Sequence, residues 1–172
     1  SPKYGKELIS VYKLIIENGF YQHPKSKNLP MDLFRNVILA GLREGEAEWV
    51  SEFVEKYKSK LHKDLRRDAV YYAKAKLALE NKDFKEALLN AGKIQNDYYQ
   101  YSVEKKAIYI IALFEMDDLE EVLKSLDSFR HYLDNSDHIP ARIKNNQKKF
   151  VYYVGKLIKE QSKPGKNSDG YL

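Results

Sequence analysis

The chain has 172 residues, of which 43% are hydrophobic, 32% charged and none cysteine. That balance suits one compact domain with its own core and excludes an intrinsically disordered chain, a disulfide scaffold, a thiolate metal site and a thiol nucleophile. The net charge of +5 comes from 24 Lys and six Arg interleaved with 25 acids, a solvated mixed surface more than a dedicated nucleic-acid face.

Only five prolines and eight glycines interrupt a chain rich in Leu, Lys, Glu and Ala, so an all-α fold is expected. In chain order, 4–18 reads as a helix, with Leu8, Val11, Tyr12, Ile15 and Ile16 at helical spacing and Gly19 at its end. "FYQHPKSKNLP" is a loop. A second helix runs from about Pro30 to Arg43 and turns at Glu44-Gly45-Glu46. A third, from about Ala47 to Leu61, has Trp49, Val50, Phe53, Val54 and Tyr57 on its apolar face. "HKDLRRD" reads as a charged link to a fourth helix ending near Glu80. Asp83, with Glu86 three residues on, reads as the cap and capping box of a fifth helix reaching about Gln95. "NDYYQYS" connects to a sixth helix, 103–115. Asp117 or Asp118 caps a seventh, which ends near Leu133. "DNSDHIP" precedes a last helix, 141–161, and the polar stretch 162–172 reads as a disordered tail.

About eight helices with short connections call for a search for repeats. Trp49, Phe84 and Leu119 recur at intervals of 35 residues, as do Phe53, Leu88 and Leu123. In the preceding helices Leu42, Leu77 and Ala112 align, as do Ile38, Ala73 and Ile108, whereas Val50, Lys85 and Glu120 do not match. Hairpins at about 31–61, 65–95 and 101–134, flanked by helices 4–18 and 141–161, would therefore form one stacked domain over 1–161. Such hairpins bury their faces against one another. Ala73, Ala75, Ala78, Ala87 and Ala91 give the middle hairpin side chains small enough for close approach.

Tyr71, Ala75, Asp83, Phe84 and Ala87 stand where the tetratricopeptide repeat has its aromatic, small, turn, aromatic and alanine positions. The middle hairpin therefore resembles that family. The third hairpin keeps Asp118 and Leu119 but has Val122 for the alanine, the first keeps Trp49 but has Glu52, and no proline closes the repeats. The interval also fits the pentatricopeptide family or a generic α-solenoid. The stretches "GLREGEAEWVSEFVEKYK" and "SLDSFRHYL" make residues 4–160 resemble the C-terminal part of longer uncharacterised bacterial proteins of Bacteroidetes type. The resemblance implies an all-α, right-handed α-α superhelix whose first helices line a concave peptide-binding side. The family's contact positions fall on Tyr72, Lys76 and Leu79, then on Ala107, Ile111 and Phe114. Arg142, Asn146 and Lys149 would extend the surface to a basic end suited to an acidic or C-terminal peptide. The opposing possibility is that the last helix caps the apolar positions.

Other chemistry reads more simply as structure. His131, Asp134, Asp137 and His138 have the types for a divalent-metal site, but a histidine before a polar turn is an ordinary helix C-terminus. The carboxylates of "EGEAE" and "EMDDLEE" precede helices, where acids cap amides. The chain has no "GxSxG", and "KPGKNSDG" lies in the polar tail with no helix after it. The 14 tyrosines cluster at Tyr71-Tyr72, Tyr98-Tyr99-Tyr101 and Tyr152-Tyr153. They serve seams between repeats or, alternatively, a peptide groove.

The expectation is a non-enzymatic, cofactor-free scaffold that binds a protein or peptide, with nucleic-acid binding as the alternative. No membrane span or leader is visible, which suggests the cytoplasm. The first helix has no hairpin partner before it, which suggests a module of a longer protein.

Overall fold

The computed structural model describes residues 2–23, 26–95 and 98–161, so the expected tail at 162–172 lies outside the described residues. The described residues form eight helices and no strand: α1 (Pro2–Glu17), α2 (Met31–Arg43), α3 (Ala47–Tyr57), α4 (Lys63–Glu80), α5 (Phe84–Gly92), α6 (Tyr99–Glu115), α7 (Leu119–Asn135) and α8 (Ala141–Gln161). None of these helices is long and apolar enough to cross a membrane. The chain divides inside α6 into two compact units, one up to Ile108 and one from Tyr109.

Four helix ends share one geometry, the first after α1, where Gly19 has a φ of 66° and the Phe20 N–H reaches the Ile15 carbonyl at 3.0 Å. Gly45, Lys82 and Asp117 adopt positive φ of 78°, 59° and 60°. After each, an N–H reaches back to a carbonyl five residues earlier: Glu46 to Gly41 at 2.9 Å, Asp83 to Ala78 at 2.8 Å and Asp118 to Leu113 at 3.0 Å. These are Schellman turns, which satisfy carbonyls that the helix end leaves open. The Asp83 carboxylate then accepts from the Glu86 N–H at 3.1 Å, and that of Asp118 from the Glu121 N–H at 3.3 Å. The capping box at Asp83 is only half made, because the Glu86 carboxylate accepts instead from buried Asn90 at 2.7 Å.

These turns correct the repeat register. The step from Gly45 to Lys82 is 37 residues, and that from Lys82 to Asp117 is 35. Phe84 and Leu119 open their helices, but Ala47, not Trp49, opens α3. In the corrected register Val50, Ala87 and Val122 share a column and are all fully buried, and Val54, Ala91 and Leu126 form a second buried column. The expected column of Phe53, Leu88 and Leu123 fails, since Leu123 is 48% exposed.

Four helix boundaries also differ from expectation. The third helix stops at Tyr57 and a 3-10 turn, Lys58–Lys60, finishes the connection. "HKDLRRD" is the first turns of α4: the His62 imidazole accepts from the Asp64 N–H, and Arg66 donates to the Ser59 and Leu61 carbonyls. α5 ends at Gly92, three residues early, and buried Asp68 on α4 accepts the Gln95 N–H at 3.2 Å. α6 begins four residues early at Tyr99, since burial of Tyr101 and Val103 holds its first turn.

In the first unit, α4 packs on both helices of the preceding hairpin, α2 and α3, and makes its most extensive contact with α5. Ala73, Ala75, Ala78, Ala87 and Ala91 are all buried there, so small side chains do permit the close approach. α2 also carries α1. The inward face of α1 is Gly5, Ile9 and Ile16, while Leu8 and Val11, expected inward, are 37% and 50% exposed. Gly5 lies on that inward face, where a Cβ would overlap the carboxylate end of the Glu44 side chain. In the second unit α7 packs on α8, with Val122, Leu126, Phe129 and Leu133 of α7 and Val151 and Ile158 of α8 buried.

Candidate binding face on α8

The residues expected to line a groove fall into two settings. Tyr72 is fully buried in the first unit, with its ring 6.1 Å from that of Tyr101 in an edge-on contact. It is therefore a core residue and not a peptide contact. Beside it, Arg35 of α2 pairs with Glu104 of α6, and Lys76 Nζ stands 3.9 Å from the second oxygen of Glu104. Burial alone lowers the Arg35 pKa, but the charge and hydrogen bond of Glu104 more than offset it and raise the guanidinium above its ordinary value. Burial, helped by the Glu104 charge, pushes the Tyr72 phenol well up. Neither Arg35 Nε nor the Tyr72 hydroxyl meets a hydrogen-bond partner among the described residues. Lys76 is thus committed to Glu104, and Leu79 is half-buried. In the second unit Phe114 is half-buried and Ile111 is 36% exposed.

Arg142, Asn146 and Lys149 behave differently. All are exposed on α8, at spacings that place them on one side of the helix. The opposite side carries buried Val151 and Ile158 and half-buried Ile143, Gln147, Phe150 and Val154, which face α7. Sequence reasoning missed Lys156 and Leu157, which continue the same exposed side together with Tyr153 of the Tyr152-Tyr153 cluster. The signal was present: Arg142, Lys149 and Lys156 are each seven residues apart, close to two turns. α8 holds six cations and one carboxylate. Of these cations, Lys148 is held by Asp134 at 2.6 Å, whereas Arg142, Lys149 and Lys156 form no ion pair among the described residues.

Away from this face, a cleft of about 250 Å³ lies between α7 and α8, lined by Arg130, Leu133, Asp134, Lys148, Val151 and Tyr152. Tyr152 and Tyr153 stand edge to face with centroids 5.3 Å apart, 63% and 60% exposed. The Lys148 hydrogen bond, more than any other influence, holds the Asp134 carboxyl below its usual range. A second cleft, between α1 and α3, is lined by Trp49, Phe53 and Tyr57, with Lys13 Nζ 4.6 Å over the Trp49 ring. Its aromatic surface is already occupied by the chain's own ammonium.

The metal candidates do not converge. His131 Nε2 lies 3.5 Å from Asp127, and among the described residues no group of three or more His, Asp or Glu is placed to hold an ion. Asp83 and Asp118 are occupied as helix caps. Compared with family models, with curated proteins and with solved structures, the chain matches none.

Proposed function

We propose that this chain is a non-enzymatic helical-repeat scaffold, its hairpins stacked in a right-handed superhelix of tetratricopeptide type, and that it binds an acidic protein or peptide segment on the outer face of α8. The observation that carries the reading is the row Arg142, Lys149 and Lys156, exposed and without internal counter-charges among the described residues, beside exposed Tyr153 and Leu157. Cations that stabilise nothing within the fold are available to a partner, and aromatic side chains are the usual anchors of protein interfaces. The burial of Tyr72 supports the last helix over the first helices of the hairpins as the binding surface.

The test is fluorescence anisotropy with a labelled oligoglutamate peptide. Binding should weaken with added salt, and the triple variant Arg142→Glu, Lys149→Glu, Lys156→Glu should abolish it. No binding at low salt, or equal binding by the variant, overturns the proposal. Exposed Tyr152 and Tyr153 also support a second reading, single-stranded nucleic acid, for which rings stack on bases while cations track the backbone. The single arginine among the six cations of α8 makes that reading the weaker one. Tighter binding of an oligonucleotide than of the peptide would reverse the order.

A further inference from the structure

The spacing on α8 restricts the shape of its partner. Seven residues of helix advance about 10.5 Å, so Arg142, Lys149 and Lys156 form one straight row with that repeat. Beside the row, Tyr153 and Leu157 stand four residues apart at 60% and 50% exposure, a short apolar ridge of the kind that fits a neighbouring helix groove.

An extended peptide presents same-face side chains every two residues, about 6.6 Å, out of step with the row. A helix lying along α8 presents same-face side chains every seven residues, at the same repeat as the cations. It also offers a groove for the ridge. Two of the three cations in the row are lysines, compact charges that pair with single carboxylates without the planar fork that phosphate recognition favours. The far side of α8 is already covered by α7, so a helix on the near side would leave α8 packed on both faces.

Resting on the reading above, we infer that the outer face of α8 docks an acidic amphipathic helix, its carboxylates seven residues apart against Arg142, Lys149 and Lys156 and its apolar side chains over Tyr153 and Leu157. The experiment uses the full chain and two synthetic peptides of identical composition. One places Glu every seven residues beside a Leu stripe. The other is shuffled so that its Glu residues share no face. A single-stranded oligonucleotide is the third ligand. The in-register peptide should bind at least tenfold more tightly than the shuffled one and gain helical circular dichroism on binding. The double variant Tyr153→Ser, Leu157→Ser should weaken it about tenfold with the protein's own helical signal unchanged. Equal affinity for the two peptides overturns the helix while leaving an acidic-segment binder. Failure of both peptides to bind overturns the helix and the proposed function together, whether or not the oligonucleotide binds.

Discussion

Lys148 of α8 donates to Asp134 of α7 at 2.6 Å. The pair joins the two helices beside the Tyr152 cleft and takes one cation out of the basic surface. Arg142, Lys149 and Lys156, on the other side of α8, keep theirs. This division of labour between neighbouring lysines makes the outer face, and not the whole helix, the binding candidate.

The same pair has a pH signature. The Asp134 pKa is depressed in the folded chain, chiefly by the Lys148 hydrogen bond. The stability it contributes is present above the unfolded carboxylate pKa and is lost as pH falls through the lower, folded value. Lys148→Met should therefore raise the Asp134 pKa toward the ordinary carboxylate range. Carboxyl-detected NMR titration of both proteins checks this, and an unmoved midpoint would show that Lys148 is not the cause.

Glu104 should matter more than its position near the middle of the chain suggests. Its side chain is 14% exposed and faces Arg35, which is 26% exposed, with Lys76 behind. Glu104→Gln removes the principal counter-charge of that half-buried guanidinium, and we expect a loss of about 1–3 kcal/mol in urea denaturation. Tyr72→Phe should behave oppositely. Its buried hydroxyl meets no partner at hydrogen-bond geometry among the described residues and feels Arg35 only as a lesser influence, so removal should leave stability within about 0.5 kcal/mol of the parent or raise it.

Gly41 sets the α2–α3 approach. A Cβ there would overlap Val50 Cγ2 and stand 3.2 Å from the Trp49 ring. Gly41→Ala should cost about 1–3 kcal/mol by overpacking. Gly5→Ala should cost less, because the group it meets is the flexible carboxylate end of Glu44. Chemical denaturation of both variants would rank them, and the reverse order would refute the argument.

The Schellman turns after α2, α4 and α6 are a controlled comparison. Gly45 fills the left-handed position in the first, Lys82 in the second. Lys82→Gly should stabilise by about 0.5–1 kcal/mol, since it relieves a backbone conformation that side chains disfavour. Gly45→Ala should destabilise by about 1 kcal/mol. Asp83→Ala should lose about 1 kcal/mol with its cap. Thermal unfolding of the three variants checks the signs.

What the sequence determined by itself is local. Helix number, the turns around Gly45, Lys82 and Asp118, and the caps at Asp83 and Asp118 depend on residues within five positions of one another, and they were legible. The seven-residue spacing that puts Arg142 and Lys149 on one side of α8 was legible for the same reason. Packing decided the rest. Leu8 and Ile9 are equally apolar, and only the packing of α1 on α2 turns Ile9 inward and Leu8 out. Tyr71 and Tyr72 are adjacent tyrosines, and only α2 and α6, bringing Arg35, Tyr101 and Glu104, make Tyr72 core. The two extra residues between the turns after α2 and α4 shifted the repeat without altering the composition of any helix, so the buried columns of Val50, Ala87 and Val122 emerged only from hydrogen-bonded turns. Periodicity tells a helix which faces it has. Which face meets a neighbour depends on contacts between residues far apart in the chain, and these exist only once the helices have packed.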